Sequence, residues 1–281
     1  MCCGAAARRE RPTARHRART WLAVCLATLV AHGAAAQTED ELAKQLSNPV
    51  SSLISVPLQL NYDDGLGPND SGGRVLLNVQ PVIPVSISKD WNMISRTIVP
   101  IIYQSGVFPG EGSQLGTGDV QQSLFFSPKA PTKAGWIWGV GPALSVPLAS
   151  DDLLGTGKWS AGPTAIALKQ TAGGWTYGAL INQLWSFAGD GDRLDVSSMF
   201  LQPFLAKAIG KGRTLTVNIE SSYDWKAGQW TVPVNLSYSK VGKIGNQRVS
   251  YAGGIRHYFD APDDGPDWGL RFALTLLFPK H

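Results

Sequence analysis

The sequence has few of the residues from which small secreted proteins commonly build disulfides, metal sites or catalytic centres. Its three cysteines, Cys2, Cys3 and Cys25, all lie in the first 36 residues. The rest of the chain therefore has neither disulfides nor cysteine ligands for a metal. Histidine is nearly as scarce, since only His257 and His281 follow residue 36. No run of eighteen apolar residues follows it either, which argues against a membrane-spanning helix.

The first 36 residues have the pattern of a signal peptide. Six arginines precede an apolar run at residues 21–31, which is too short to span a membrane, and alanines at 34–36 suit cleavage before Gln37. An arginine pair in this leader also resembles a twin-arginine signal, but its context favours ordinary secretion. Removal of residues 1–36 takes six arginines and Glu10 from 25 basic and 21 acidic residues, which leaves a net charge of −1. No nucleic-acid partner is therefore expected.

Strict alternation of apolar and polar residues between positions 213 and 241 predicts two paired β-strands. In the first arm, Leu215, Val217 and Ile219 lie on one parity, and mainly polar residues occupy the other. A period of two puts alternate side chains on opposite faces of a strand. Each arm has about a dozen residues, roughly twice the usual length in soluble sheets. Strands of this length suit a bilayer.

The same period divides the chain from residue 50 to its end into about twelve strands. The pattern predicts an all-β fold, a transmembrane antiparallel up-and-down β-barrel over residues 50–281. The expected strands are residues 50–62, 74–87, 91–103, 119–127, 135–147, 158–169, 174–186, 195–207, 213–225, 229–241, 247–259 and 267–278. Prolines inside these runs lack an N–H, which predicts bulges or gaps in the hydrogen-bond ladder. These prolines are Pro57, Pro81, Pro84, Pro100, Pro142, Pro163, Pro203 and Pro233.

Eight tryptophans favour a lipid-embedded barrel over a soluble β-sandwich. They fall at or next to strand ends, as expected for two interfacial girdles. The girdle residues are Trp91, Trp136, Trp159, Trp175, Trp185, Trp225, Trp230 and Trp268. Because every backbone N–H in hydrocarbon must be paired within the protein, a membrane sheet must close on itself. We expect a barrel in the outer membrane of a Gram-negative bacterium, in contact with membrane lipid and lipopolysaccharide and inserted by the outer-membrane assembly machinery.

A short helix is predicted before the barrel, within residues 37–49. Thr38 and Glu41 have the spacing of a capping box, apolar residues follow at helical spacing, and Pro49 ends the helix. The simplest role for this helix is to cover the periplasmic mouth of the barrel. The alternative is a plug inside the pore.

Charge divides between the two sets of strand connections. Lysines concentrate in the expected inner turns, and aspartates concentrate in and beside the expected outer loops. The outer loops are residues 63–73, 104–118, 148–157, 187–194, 226–228 and 260–266. Asp63-Asp64 and Asp263-Asp264 offer oxygen ligands for divalent cations. No spacing matches a dedicated metal loop, so solvated loops are favoured and no metal site is predicted.

Side chains on the parity opposite to the apolar one are expected to point into a polar lumen. The predicted lumen-lining residues are Arg74, Arg96, Asn182, Asn218, Glu220, Arg256 and Arg271. One interpretation is a constriction whose arginine-rich wall, opposed by a glutamate, selects solutes by charge and size. The other is a nearly filled interior that conducts little, since twelve strands lie between filled eight-stranded barrels and open porins. A narrow conduit for passive diffusion, without a cofactor, is favoured.

Several short runs resemble one family of bacterial outer-membrane proteins. They are ELAKQLSNP at 41–49, GTGD at 116–119, WGVGP at 138–142, GKWSAGP at 157–163, QPF at 202–204 and LFPK at 277–280. The family is named after the meta-pathway of phenol degradation, and its members are described as transporters. The resemblance covers roughly residues 39–280. It implies an outer-membrane barrel that passes small molecules, including aromatic or hydrophobic ones, and it supplies no site residues.

Two other functions are considered. An outer-membrane lipid hydrolase needs a histidine base within reach of a nucleophile, and His257 has Ser237 and Ser239 on the neighbouring strand. His257 has outward parity and no nucleophile elbow accompanies it, so an interfacial histidine is the simpler interpretation and no enzymatic activity is predicted. An adhesive or structural barrel would act through its acidic outer loops, which are modest in length and contain no repeats.

Overall fold

The computed structural model describes residues 37–279, which form one short helix and one β-sheet. Helix α1 spans Glu39–Leu46. The strands are β1 (Ile54–Leu66), β2 (Gly72–Val79), β3 (Val82–Ser86), β4 (Trp91–Ser105), β5 (Gln114–Thr117), β6 (Val120–Pro128), β7 (Trp136–Val146), β8 (Lys158–Gln170), β9 (Trp175–Gly189), β10 (Ser197–Gly210), β11 (Arg213–Ile219), β12 (Ser221–Asp224), β13 (Gln229–Thr231), β14 (Pro233–Ile244), β15 (Gln247–Tyr258) and β16 (Trp268–Phe278). The expected signal peptide, residues 1–36, lies outside the described residues. Within residues 37–279, no helix is long and apolar enough to cross a membrane.

The sixteen segments make twelve barrel strands. Four strands are interrupted by one or two residues, between β2 and β3, β5 and β6, β11 and β12, and β13 and β14. Neighbouring strands pair antiparallel throughout, and β1 pairs with β16 over eleven registered positions from Ile54–Phe278 to Asp64–Trp268. That last pairing joins the first strand to the last and closes the barrel. The predicted fold and strand number are confirmed.

Side-chain exposure alternates along the strands, as the sequence pattern predicts. In β1, Leu60 and Tyr62 are exposed on the outer surface, whereas Asn61 and Asp63 are buried inside. Many outward positions on other strands also carry large exposed apolar side chains, among them Ile101, Ile181, Leu215, Val217, Leu236, Ile255 and Phe272. A continuous apolar belt of this kind is unfavourable in water and is normal for a barrel whose outer face contacts lipid. The molecule is an outer-membrane barrel in contact with membrane lipid.

The two ends of the barrel differ in the length of their connections. One end has most of the longer connections, at residues 67–71, 106–113, 147–157, 190–196, 225–228 and 259–267, and is called the loop end. The other has short turns at 87–90, 129–135, 171–174, 211–212 and 245–246 and is called the helix end, because α1 lies there. The backbone N–H of Gly212 in one of these turns donates a hydrogen bond to Asp40 Oδ1 at 2.6 Å.

The first strand differs from the predicted one at both ends. It was expected at residues 50–62, but it begins at Ile54 and ends at Leu66. Residues 50–53 instead belong to the segment that enters the barrel, and Val50 and Leu53 are buried there. Asp63 and Asp64 lie inside β1 and not in a loop, because their backbone pairs with Gly269 and Trp268 of β16. This shift makes Asp63 an inward-facing residue.

Most of the strand prolines coincide with local losses of pairing. Pro81 lies in the break between β2 and β3, and Pro100 lies where β4 exchanges its partner β5 for β6. Pro142 and Pro163 face each other at gaps in the β6–β7 and β8–β9 ladders. Pro233 begins β14 after a break. The chain therefore accommodates prolines at the cost of ladder hydrogen bonds without opening the barrel, whereas Pro57, Pro84 and Pro203 stay within paired segments.

Helix α1 forms for the local reasons that its sequence indicates. The Thr38 hydroxyl accepts a hydrogen bond from the Glu41 N–H at 3.2 Å, and Glu41 Oε2 accepts one from the Thr38 N–H at 2.9 Å. This reciprocal pair satisfies two backbone donors that the first turn leaves free. The predicted capping box is confirmed.

Candidate pore, its charged network and its internal cavity

Glu220 occupies the break between β11 and β12 and is the centre of a set of buried charges. Its carboxylate accepts two hydrogen bonds from Arg271, Nη1 to Oε1 at 2.8 Å and Nη2 to Oε2 at 2.7 Å. Arg256 Nη2 donates a third to Oε2 at 2.8 Å. Two amides approach the same carboxylate, Gln202 Nε2 at 3.3 Å and Asn218 Nδ2 at 3.5 Å. A fork-to-fork arginine–carboxylate pair fixes the geometry as well as the charge.

Asp63 is a second acceptor, and it binds the other terminal nitrogen of Arg256. Its Oδ1 accepts from Arg256 Nη1 at 3.1 Å and from the Tyr258 hydroxyl at 2.9 Å, and its Oδ2 accepts from Arg74 Nη2 at 3.1 Å. Asp63 is 0 % exposed. We call Asp63, Arg74, Glu220, Arg256 and Arg271 the arginine–carboxylate network.

Neutral residues hold the two central arginines in place. Asn61 Oδ1 accepts from Arg271 Nε at 2.8 Å, and Asn235 Oδ1 accepts from Arg256 Nε at 3.0 Å. Gly269 pairs with Asp63 on one side and Arg256 on the other. A Cβ at Gly269 would lie 2.8 Å from Asp63 Oδ1 and would overlap the carbonyl oxygen of Tyr62. The absence of a side chain at Gly269 therefore lets Asp63 and Arg256 meet across β16.

Arg96 extends the positive charge to the other side of the barrel. It lies on β4 and donates a hydrogen bond from Nη2 to Gln80 Oε1 at 3.1 Å. Glu220, on the break after β11, attracts it electrostatically. Four guanidinium groups thus accompany two carboxylates, Asp63 and Glu220, which gives this level of the interior a net charge of +2. An anion is favoured here over a cation.

A cavity of about 330 Å³ lies inside the barrel between Arg96 and the N-terminal segment. Arg96, Gln80, Gln202 and Asn218 contribute to its lining where it approaches the network. Eight residues between Ala43 and Leu53 line it at the helix end, and inward-facing serines, threonines and alanines supply much of the wall between. Those wall residues include Ser55, Ala206, Thr214, Thr216, Ser237, Ser239, Ser250, Ala252, Ala273 and Thr275.

The N-terminal segment packs against inward-facing residues. Leu42, Ala43 and Leu53 form a buried cluster with Val241 of β14 and Leu277 of β16. Leu42 is 0 % exposed. The Gln170 side-chain amide at the end of β8 donates to the Lys44 carbonyl oxygen at 2.8 Å. This segment is held by strands on different sides of the barrel and narrows its helix end, a position that both the cover and the plug described above allow.

A second buried cluster extends this packing. Val50 is packed with Ile94, Phe125, Ile166, Leu168 and Leu180, which are inward-facing residues of β4, β6, β8 and β9. The two clusters place apolar contacts on both sides of the chain segment 42–53. The two clusters therefore make part of the helix end apolar, whereas the charged network lies nearer the middle of the barrel.

Six of the seven residues predicted to line the lumen are brought together. Arg74, Glu220, Arg256 and Arg271 belong to the network, Asn218 touches Glu220, and Arg96 lines the cavity beside them. Asn182 is the exception. It lies on β9 in register with Thr164 and Phe200, and within residues 37–279 no hydrogen bond or ion pair connects it to the network.

Sequence reasoning missed Asp63, Asn61, Tyr258 and Gln202 as members of this site. The sequence does contain a signal for the first two, because Asn61 and Asp63 continue the polar parity of Gln59 in β1. Ending the expected strand at residue 62 left Asp63 in a loop, although Asn61 stayed within the strand. Tyr258 shares the parity of Arg256, but an aromatic residue at a strand end is more readily interpreted as part of a girdle.

The tryptophans chosen as girdle residues occupy both ends of the barrel. Trp91, Trp136 and Trp175 begin strands at the helix end. The others lie toward the loop end, at Trp159, Trp185, Trp225, Trp230 and Trp268. All are exposed except Trp230, which is half-buried. Their placement at two levels suits the two membrane interfaces.

The serine–histidine pair considered for lipid hydrolysis does not form. His257 is exposed on the outer face, where it lies in register with Trp268 and contacts the Phe259 ring at 4.9 Å between centroids. Ser237 and Ser239 line the internal cavity. The base and the two candidate nucleophiles are on opposite faces of the sheet, so they are too far apart for proton transfer.

The aspartate pair considered as a cation ligand at the start of the first loop is also separated. Asp63 points inward to arginines, whereas Asp64 accepts a hydrogen bond from the Tyr62 hydroxyl at 2.7 Å on the outer side. Successive residues of a strand face opposite ways, which explains the separation. In the described part of the chain, no group of three or more acidic, histidine or cysteine residues is arranged to hold a metal ion.

No protein-family description and no curated protein sequence matches the chain. Among solved structures, an outer-membrane channel from Pseudomonas putida F1 has a similar fold, with a TM-score of 0.65 over 81% of this chain and 96% of that chain at 12% identity. Outer-membrane phospholipase A from Escherichia coli gives a TM-score of 0.48 over 80% of this chain and 90% of that chain at 10% identity. The first similarity shows a shared outer-membrane barrel fold.

Proposed function

We propose that the protein is an outer-membrane channel through which small solutes diffuse passively along a narrow polar lumen. The observation that carries this proposal is the arginine–carboxylate network, which lies inside the barrel above an internal cavity. Buried ion pairs contribute little net stability relative to apolar residues of similar volume. Charged residues at such a position are therefore better explained by the passage of polar solutes than by folding alone.

The charge at this level supports a preference for anions. Arg74, Arg96, Arg256 and Arg271 outnumber Asp63 and Glu220 by two charges. A positive potential inside low-dielectric walls raises the local concentration of anions and lowers that of cations. The network and Arg96 together therefore set selectivity by charge, and the N-terminal segment, which narrows the helix end, sets selectivity by size. No cofactor or catalytic step is involved.

The solute class and the family are proposed from sequence resemblance and fold together. The runs at 41–49, 138–142 and 157–163 resemble the outer-membrane family named after phenol degradation, and the Pseudomonas putida F1 channel has a similar fold. Both are compatible with a transporter of small molecules, including aromatic or hydrophobic ones. Apolar residues beside the cavity, such as Leu180 and Phe204, would suit such solutes.

Orientation follows from the division of charge in the connections. The aspartate-rich loop end would face the cell exterior and meet lipopolysaccharide, and the helix end would face the periplasm. The tryptophans at both levels would sit at the two interfaces. Insertion of such a barrel would require the outer-membrane assembly machinery.

Planar-bilayer recordings of single-charge variants test the proposal. Arg96→Ala lowers the charge of this level from +2 to +1, whereas Glu220→Ala raises it to +3. The reversal potential in a salt gradient should shift toward cations for Arg96→Ala and toward anions for Glu220→Ala. Opposite shifts exclude a general effect of a damaged barrel. Unchanged selectivity in both variants would remove the constriction from the proposed function.

A further inference from the structure

The internal cavity contains a single charged group. Arg96 is the one charged side chain among the described residues that line it. The cavity therefore has a cation at one side and no carboxylate on its own walls. A guanidinium removed from bulk water needs hydrogen-bond acceptors or an anionic partner to offset the lost hydration.

The protein satisfies Arg96 incompletely. Its one hydrogen bond to a side chain in the described structure goes to the neutral Gln80 amide oxygen, although the guanidinium carries five N–H donors. In residues 37–279 no carboxylate lies within ion-pair distance of Arg96. Glu220 attracts it electrostatically, but the Glu220 oxygens already accept hydrogen bonds from Arg256 and Arg271. Arg96 therefore has further N–H groups that can donate hydrogen bonds to an anion in the cavity.

The walls of the cavity are amphipathic. Val82 lies in register with Arg96 on the neighbouring segment β3, whereas Leu180 and Phe204 lie across the lumen on β9 and β10, and all three pack with the buried cluster around Val50. Other parts of the wall carry the hydroxyl groups of residues such as Ser237. The volume, about 330 Å³, is at the lower end of the range of small-molecule sites. An inorganic anion alone would make no contact with the parts of Val82 and Phe204 that face the cavity.

We propose that this cavity is a binding site for a small amphipathic monocarboxylate. The carboxylate accepts hydrogen bonds from Arg96, and the apolar part of the molecule packs against the half-buried Val82 and Phe204. The inference deepens the proposed channel function by naming a solute class that rests in the cavity during passage. It makes Arg96 a binding residue and separates its role from that of the arginines paired in the network.

Binding is measured by calorimetry on the full barrel, with its N-terminal segment, in detergent. Hexanoate, the neutral hexanamide and the short acetate are the probes. Hexanoate should bind at least about tenfold more tightly than hexanamide, which lacks the charge, and at least about tenfold more tightly than acetate, which lacks the apolar part. Arg96→Gln should weaken hexanoate binding at least about tenfold. Lys89→Gln removes the same charge at an exposed turn residue and should bind as the wild type does.

A second variant covers the case in which Arg96→Gln does not fold. Phe204→Ser should weaken hexanoate binding about tenfold and leave acetate binding unchanged. Equal affinity of Arg96→Gln and the wild type for hexanoate would overturn the inference. So would equal affinity of the wild type for hexanoate and acetate, which would mean that any small anion is bound.

The same samples separate this inference from the proposed function. Ion flux in liposomes without saturable hexanoate binding would leave the channel standing and remove the binding site. Hexanoate binding that depends on Arg96, in a barrel that conducts nothing, would keep the binding site and remove the channel.

Discussion

Replacement of Glu220 by glutamine should destabilise the barrel because it leaves the buried Arg271 without a carboxylate and takes one of two carboxylates from the buried Arg256. Arg256 is 8 % exposed and Arg271 is 7 % exposed, and both donate to Glu220 at 2.7–2.8 Å. Glutamine keeps the shape of the side chain but carries one acceptor oxygen instead of two. The Arg271 fork can then make at most one of its two hydrogen bonds to residue 220.

The size of the effect follows from the burial of the partners. Removal of one member of a buried ion pair typically costs about 3–5 kcal/mol, because the other charge remains buried. The Glu220 side chain is 17 % exposed, so water in the lumen offsets part of that cost. We expect a loss of about 3 kcal/mol in the free energy of unfolding for Glu220→Gln, at the lower end of the range.

The assay is urea unfolding of the barrel in lipid vesicles, followed by tryptophan fluorescence. Glu220→Gln, Arg271→Gln and the double variant form a thermodynamic cycle. Because the double variant removes both members of the closest pair, its loss should be smaller than the sum of the single losses by at least about 1.5 kcal/mol. Asp90→Asn is the control. Asp90 is an exposed turn residue, so this variant should change the free energy of unfolding by no more than about 0.5 kcal/mol.

Two results would contradict this reasoning. Unfolding of Glu220→Gln at the wild-type urea concentration would mean that water in the lumen already solvates the arginines. Additive losses in the cycle would mean that Glu220 and Arg271 do not interact energetically, whatever their distance.

The remaining predictions concern the plug, the glycine beside the network and the outer face. Leu42→Asp should release the N-terminal segment and raise single-channel conductance severalfold. Lys44→Asp, on the exposed side of the helix, should leave the conductance unchanged. Equal conductance of Leu42→Asp and the wild type would contradict the plug. Gly269→Ala should lower the free energy of unfolding by about 1–3 kcal/mol in urea titrations because its Cβ meets Asp63. Gly253→Ala, whose Cβ has ordinary contacts, should cost less than half as much, and similar losses would refute the steric reason. Phospholipid hydrolysis by the wild type should match that of His257→Ala, and hydrolysis that depends on His257 would favour an enzyme.

Local pattern was sufficient for much of the architecture. The alternation around Leu215 and Val217 was enough to assign the two faces of that strand. The predicted count of twelve strands is correct because breaks at positions such as Pro81 interrupt the hydrogen-bond ladder without ending the strand. The capping box at Thr38 and Glu41 fixed the start of the helix. Each of these features depends on residues that are close together in the chain.

The candidate site was predicted only in part because its contacts join residues far apart in the chain. The parity of Arg256 indicates that it faces the lumen, but nothing near it in sequence indicates that it lies 3.1 Å from Asp63. That contact exists because β1 pairs with β16 and because Gly269 of β16, which lies between Asp63 and Arg256, has no side chain. An error of four residues in the end of β1 was enough to move Asp63 from the network to a loop.

The sequence by itself determined which side chains face lipid and which face inward, since the two faces of a strand follow from a period of two residues. Only the tertiary structure decided which inward residues meet. Barrel closure, strand tilt and register bring Glu220 to Arg271 and leave Arg96 on a cavity, and these quantities belong to the whole sheet. The same closure encloses the N-terminal segment, because the apolar face of α1 finds its partners, Val241 and Leu277, only on strands from the far end of the chain.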